Sequence, residues 1–418
     1  MADVIPFKCW RPPEDKASQV AAAPYDTFSR VEATEEVAAF PLSFLRIDKP
    51  AALFGSEVGE YDAIVYSRAK EELDTWYEQG IMVPNAQPLE PTFLIYRLTR
   101  DAHTQTGVLA CVSVEEYQNG GIKRHENTRL GKEQDRIEHI QALEAHTGPV
   151  LLTYPSLPSL DEVLQGYAQG APPLYDFVAL DGVRHELWCV EDATIIEIIQ
   201  TLFDLVPTLY IADGHHRAAA AARVSENYAE AADNAKTEAD YFLAVLFGSS
   251  QLEVLDYNRV ISDLGGLEPE ELLARVSEVM DTELVGPNPY KPTKRGEYGM
   301  FVQGNWYALT LCPEDRPDDT VEGLDVALLH SLILAPILGI EDPRTNPRIS
   351  YVGGIRGLDE LAKRASATGG AAFALYPCSL EELFAVADED RLMPPKSTWF
   401  EPKPRSGLAI HRINNDDS

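Results

Sequence analysis

The sequence predicts a mixed α/β fold, and three observations predict it. Short apolar runs of strand length recur at Phe93–Tyr96, Val150–Tyr154, Tyr241–Phe247 and Ala371–Leu375. Other segments read as helices, such as Ala193–Leu205 and Tyr66–Tyr77, the latter with Leu73 and Trp76 on one face. The length of 418 residues exceeds one ordinary domain and implies two or three.

The elements follow in order. Ser29-Arg30-Val31-Glu32 is a capping box, in which hydroxyl and carboxylate satisfy backbone N–H groups at a helix start; the helix is expected to reach Ala39. Tyr66–Tyr77 is the next helix, with Leu73 and Trp76 on one face and Gly80 beyond its end. Phe93–Tyr96 pairs with Val108–Val114 across a loop at Asp101–Gly107. A charged stretch over 123–146 leads into a helix with Ile137, Ile140 and Leu143 on its apolar face. Asp181-Gly182 turns a hairpin between Val178–Leu180 and Glu186–Val190. Thr208–Ala212 is a strand, and a helix begins at His215. After Gly265-Gly266, a helix over Pro269–Met280 and a hairpin at Gln303-Gly304-Asn305 precede an apolar helix, Val326–Leu338, interrupted by Pro336. The tail from Met393 is Pro-rich and extended, and Asn414–Ser418 is expected to fray. The expected division is an N-terminal α/β region over 1–105, a core over 106–264 and a C-terminal α/β region over 265–418 with a closing strap.

Charge narrows the function. With 35 Lys+Arg against 67 Asp+Glu the net charge is −32, which disfavours nucleic-acid and anionic-lipid partners. No run approaches the roughly 18 apolar residues of a membrane span. Residues 1–10 carry no apolar core of leader length, so no secretory leader is expected. Five scattered cysteines without a C-x-x-C pair argue against a disulfide framework or zinc-thiolate site and for a reducing, cytoplasmic setting.

The sharpest local signal is Asp213-Gly214-His215-His216-Arg217 between a strand and a helix. Glycine permits the tight turn, the helix opens with N–H groups aimed at it, and Arg217 adds a fork suited to phosphate. Asp213 is a candidate for Mg2+ or a substrate ammonium, and His215 and His216 for contacts with phosphate or substrate. Adjacent histidines without H-x-x-x-H spacing make a closed zinc site a poorer reading. A plain capped helix with two polar surface histidines accounts for the string equally well when context is ignored.

Three basic clusters stand out in this acidic chain. Residues 123–136 hold five basic residues against three acids, and Glu126 among these cations is expected to stay ionised and to act as a base. A solvated helix with i,i+4 pairs accounts for 132–139 but not for the loop before it. Arg344, Arg348 and Arg356 have no acid between them. Met393–Gly407 combines prolines with Lys396, Ser397, Thr398 and Arg405, readable as a ligand lining or as a strap packing Trp399 and Phe400.

Pro24-Tyr25-Asp26, Ser43-Phe44-Leu45, Arg124-His125-Glu126 with Thr128, Lys132 with Asp135-Arg136, Ala212–Arg217 and Met393–Leu408 together resemble, over nearly the whole chain, the bacterial and archaeal domain-of-unknown-function family numbered ten-fifteen. The Asp213–Arg217 turn also resembles the phosphate-binding turn of the ParB/sulfiredoxin superfamily, and within it that of free serine kinases. The resemblance implies a ParB/sulfiredoxin-like nucleotide-binding core with additional N- and C-terminal α/β regions. It also implies phosphoryl transfer between a nucleotide, ATP or ADP with Mg2+, and the hydroxyl of free serine or the phosphate of O-phosphoserine. The expected roles are Glu126 as base, with Asp213 and His216 catalytic. Gly214, His215, Arg217, Arg124, Lys396 and Arg405 are expected to hold nucleotide or phosphate. The expected partners are a small substrate and a nucleotide, with homodimerisation open. The competing functions are a phosphoserine phosphatase-like hydrolase, a nucleotide-binding ParB-like switch and a non-catalytic metabolite sensor.

Overall fold

A computed structural model describes residues 2–86, 88–231 and 236–414. The fold is mixed α/β, as the alternation of apolar runs and helical patterns predicts. The chain forms two compact units. One comprises 1–124, 128–252 and 402–418; the other comprises 125–127 and 253–401. This division cuts across the three consecutive segments expected from the sequence. Strand pairing rather than chain order defines a unit, and residues on either side of position 105 share one sheet.

The first unit is built on a nine-stranded sheet. Its main path runs Ile122–Lys123, Leu209–Asp213, Val150–Tyr154, Tyr241–Gly248, His103–Ser113, Phe93–Arg100, Arg184–Val190 and Tyr175–Val178, and Val4–Ile5 pairs with His103–Ser113. The central strands are apolar on both faces because helices and loops cover both. Val108, Leu152, Ile211 and Leu246 are fully buried. They form one cluster with Leu160, Leu164, Ile199 and Phe203 from the helices Pro158–Gly170 and Ala193–Phe203. A second cluster joins the helices Arg30–Ala39 and Ala63–Glu78 to Phe44, Leu143 and Ile410. The capping box forms as expected: the Ser29 N–H donates to Glu32 Oε2 at 2.7 Å and the Glu32 N–H to Ser29 Oγ at 3.3 Å.

The expected loop at 101–107 is shorter than its polar sequence suggests. Strands Phe93–Arg100 and His103–Ser113 pair as far as Arg100 with His103, and Asp101 takes the turn at φ +52°. Thr104 and Thr106 are β-branched and fit a pleated surface, so polarity alone misplaced the boundary.

The second unit carries a six-stranded sheet in the order Asp281–Gly286, Asn305–Thr310, Glu297–Val302, Ala371–Leu375, Tyr257–Ile261 and Ile349–Gly353. The helix Leu358–Thr368 lays Leu361 and Ala365 against Val260, Phe301, Trp306 and Val352. The strands Glu253–Leu255 and Trp399–Glu401 pair separately. The expected helix over 326–338 is instead an α-helix, Asp325–Leu329, followed by a π-helical segment, His330–Leu334. Met393 N–H donates to the His125 carbonyl at 2.8 Å, tying 125–127 into this unit. Among the described residues no helix is long and apolar enough to cross a membrane. The expected fraying at 414–418 concerns residues that, beyond 414, lie outside the described ones.

Candidate functional site

The turn after strand Leu209–Asp213 forms where the sequence places it. This strand pairs antiparallel with Val150–Tyr154, and its register shifts between Ile211 and Asp213. The irregularity re-aims the last side chain of the strand, a common use of a bulge. Gly214 follows at φ +96°, and its carbonyl accepts the Arg217 and Ala218 N–H groups at 2.9 and 3.1 Å, closing the first turn of the 17-residue helix His215–Ala231. A side chain at position 214 would strain the backbone, although its Cβ would meet Val150 only at ordinary contact, 3.4 Å.

Both carboxylate oxygens of Asp213 are engaged. Oδ1 accepts the Gly214 N–H at 2.9 Å, and Oδ2 is ion-paired with Lys403 Nζ. Burial opposes ionisation of this carboxyl, but Lys403, His215 and the Gly214 N–H outweigh it and hold its pKa below the ordinary value. A Mg2+ ion at Asp213 would compete with Lys403 for Oδ2. Lys403 is the residue the sequence reasoning missed. It lies in the quoted Pro-rich string, but nothing there separates it from Lys396 and Arg405.

Arg217, expected to meet phosphate, is committed to the protein. Its Nη2 donates to Asp48 Oδ2 at 2.7 Å, and its guanidinium lies 5.1 Å from the centre of the Tyr25 ring. Asp48 is fully buried and accepts the Thr147 hydroxyl at 2.7 Å. Burial would raise its pKa, but Arg217, His139, Arg136 and Thr147 together pull it far below the usual carboxylate range. Arg136 stands beside them, paired with Asp135 at 2.8 Å and centred 4.0 Å from the same Tyr25 ring.

The strap that follows Pro402 distributes three side chains over the first unit. Lys403 reaches Asp213, Ser406 Oγ lies 3.5 Å from Arg217 Nη2, and Arg405 pairs with Asp181. Arg405 Nε also donates to His185 Nε2 at 3.3 Å, and His185 Nδ1 meets Tyr96 Oη at 2.7 Å. A histidine that accepts from arginine is neutral. Burial and Arg405 accordingly push the His185 pKa down to about 3. Arg405 is therefore placed in an internal network rather than at the turn.

His215 is buried, whereas His216 accepts the Arg129 backbone N–H at Nε2, 3.0 Å, rather than standing as an idle surface group. Arg124 lies against the Tyr117 hydroxyl. Glu126 and Lys396 belong to the second unit. Glu126 is half-buried in the irregular segment 125–127, beside His125, whose Nε2 lies 3.2 Å from Thr398 Oγ1. Lys396 adopts φ +62° with its ammonium 5.6 Å from the Tyr257 ring centre. The three arginines without intervening acids find acids elsewhere or face solvent: Arg344 pairs with Asp342 and Arg348 with Asp263, each at 2.9 Å, and Arg356 is exposed. A basic string in sequence is thus not an anion site in space. All five cysteines are free thiols.

The chain belongs to the family described as "Protein of unknown function (DUF1015)", which it matches over residues 4–327. Solved structures similar to it include a mutant free serine kinase in complex with AMP, at 14% identity and a TM-score of 0.37, covering 73% of this chain and 92% of that one. Another is a C-terminally truncated SbnI from Staphylococcus aureus, at 13% identity and a TM-score of 0.37, covering 74% and 90%. A conserved hypothetical protein from Pyrococcus furiosus matches at 13% identity and a TM-score of 0.35, covering 74% and 95%. At these values the likeness assigns no activity. No curated protein matches the chain.

Proposed function

We propose that the protein transfers a phosphoryl group between a nucleoside di- or triphosphate and a small hydroxyl metabolite, with free serine or O-phosphoserine as the leading substrate. The observation that carries this reading is the turn at Gly214. A left-handed glycine delivers a strand end into the first N–H groups of a 17-residue helix, with the Lys403 ammonium beside it. Helix N-termini and cations stabilise the spread negative charge of a transferring phosphoryl group, and such catalysis rests largely on positioning and electrostatics. In this reading the turn holds phosphate, and Lys403 moves from Asp213 to phosphate when the nucleotide arrives. Asp213 is thereby released to accept the substrate ammonium or Mg2+. Glu126 is assigned as the base for the hydroxyl and His216 as a further catalytic group, and Gly214, His215, Arg124 and Lys396 are assigned to nucleotide or phosphate. Arg217 holds the helix start in place through Asp48.

The test is phosphorus NMR of the purified full chain with serine and ATP or ADP, and in reverse with O-phosphoserine. The control is Lys403→Met, not Arg217→Ala, because removing Arg217 strands a buried carboxylate and disturbs folding. Transfer by the wild type and at least tenfold slower transfer by Lys403→Met is the expected result, the loss of about one charge-assisted contact. Absence of transfer with every nucleotide overturns the proposal. Phosphate release from O-phosphoserine without nucleotide points instead to the hydrolase.

A further inference from the structure

The second unit holds a cavity of about 530 Å³. Arg259, from the strand Tyr257–Ile261, lines it and is 3% exposed. A buried guanidinium ordinarily has a carboxylate partner, because desolvating an isolated charge is expensive. Arg259 has none among the described residues. Its N–H groups go to two backbone carbonyls, Tyr257 and, at 3.3 Å, Pro395, and its plane lies 5.3 Å from the Tyr351 ring centre. Burial without a counter-charge pushes its pKa down to about 10, against only the opposing effect of Tyr351 and Tyr257.

A second polar group lines the same cavity. His330 opens the π-helical segment His330–Leu334, a backbone irregularity often found at functional sites. Its Nδ1 is buried and makes no hydrogen bond among the described residues. Val326, Leu334, Ile349 and Pro394 make much of the remaining wall apolar. Three acids also line the cavity: Glu322 and Glu341 are exposed, and Asp342 is held by Arg344. A ligand with charge spread along its length would meet these acids. One with a single anionic head and an apolar body would place its charge at Arg259 and its body against the aliphatic wall.

We propose that this cavity binds a small organic monocarboxylate with an apolar body, its carboxylate paired with Arg259 and hydrogen-bonded by His330. The proposal does not depend on phosphoryl transfer at the Gly214 turn. Calorimetric titration of the full chain with 4-phenylbutyrate tests it, with 4-phenylbutyramide as the neutral isostere and 3-phenylpropyl phosphate as the dianion. The acid is expected to bind, and the amide to bind about tenfold more weakly or worse. Arg259→Met is expected to lose about tenfold in affinity for the acid. Ala327→Phe, which fills the cavity and keeps Arg259, is expected to lose binding as well, and it decides the matter should Arg259→Met not fold. Equal binding of acid and amide, no binding of the acid up to about 10 mM, or full binding by either folded variant overturns the proposal. Tighter binding of the phosphate ester overturns the choice of a carboxylate.

Discussion

Asp48→Asn should be among the most damaging single substitutions of nearly constant size in the first unit. The Asp48 side chain is 0% exposed and Arg217, its ion-pair partner at 2.7 Å, is 13% exposed. The substitution keeps shape and volume but leaves the Arg217 guanidinium largely buried against a neutral amide. Breaking one side of a buried pair costs about 3–5 kcal/mol, whereas losing a single neutral hydrogen bond costs about 1 kcal/mol. Thr147→Val, which removes only the hydroxyl donor to Asp48, is therefore the calibrating variant. Urea unfolding followed by fluorescence and by amide exchange in the first unit should rank the losses Asp48→Asn well above Thr147→Val. The pH dependence adds an independent check. The folded pKa of Asp48 lies below its unfolded value, so its contribution is complete above about pH 4 and fades as the pH falls toward the folded value. Asp48→Asn should accordingly flatten the acid limb of the stability curve below about pH 4. Equal losses for the two variants, or an unchanged acid limb, would refute the buried-pair argument.

Other outcomes follow from the same geometry. Gly214→Ala should destabilise by about 1–2 kcal/mol through backbone strain, since the added Cβ has room, and should weaken ADP binding in a titration. His185 is neutral in the folded state with a pKa near 3, while the unfolded chain protonates it near 6.5. The unfolded state then binds the extra proton as the pH falls, and stability drops by about 2 kcal/mol between pH 7 and pH 5 from this group alone. His185→Gln should lower stability at pH 7 but reduce that drop, which urea midpoints at the two pH values would show. Lys403→Met should slow phosphoryl transfer by tenfold or more with little change in melting temperature, because the Asp213 side chain it leaves behind is 36% exposed, unlike the fully buried Asp48.

The features legible in the string of residues are local ones. The Ser29–Glu32 capping box, the turn of the hairpin at Asp181-Gly182 and the strand–glycine–helix turn at 213–217 depend on backbone angles and hydrogen bonds between near neighbours and form where the residues indicate, although the hairpin's first strand is Tyr175–Val178 rather than Val178–Leu180. The apolar runs fixed the α/β class for the same reason, since burial of a strand-length run requires a sheet. The partner of each charged side chain follows from long-range packing. Arg217 finds Asp48 at a separation of 169 residues, Lys403 finds Asp213 at 190 and Arg405 finds Asp181 at 224. Sheet order sets such pairings, and sheet order follows from packing of the whole unit rather than from any string. So too with Arg259: in sequence it is one arginine in a strand, and only its burial, with no carboxylate partner among the described residues, carries the proposal of a ligand there.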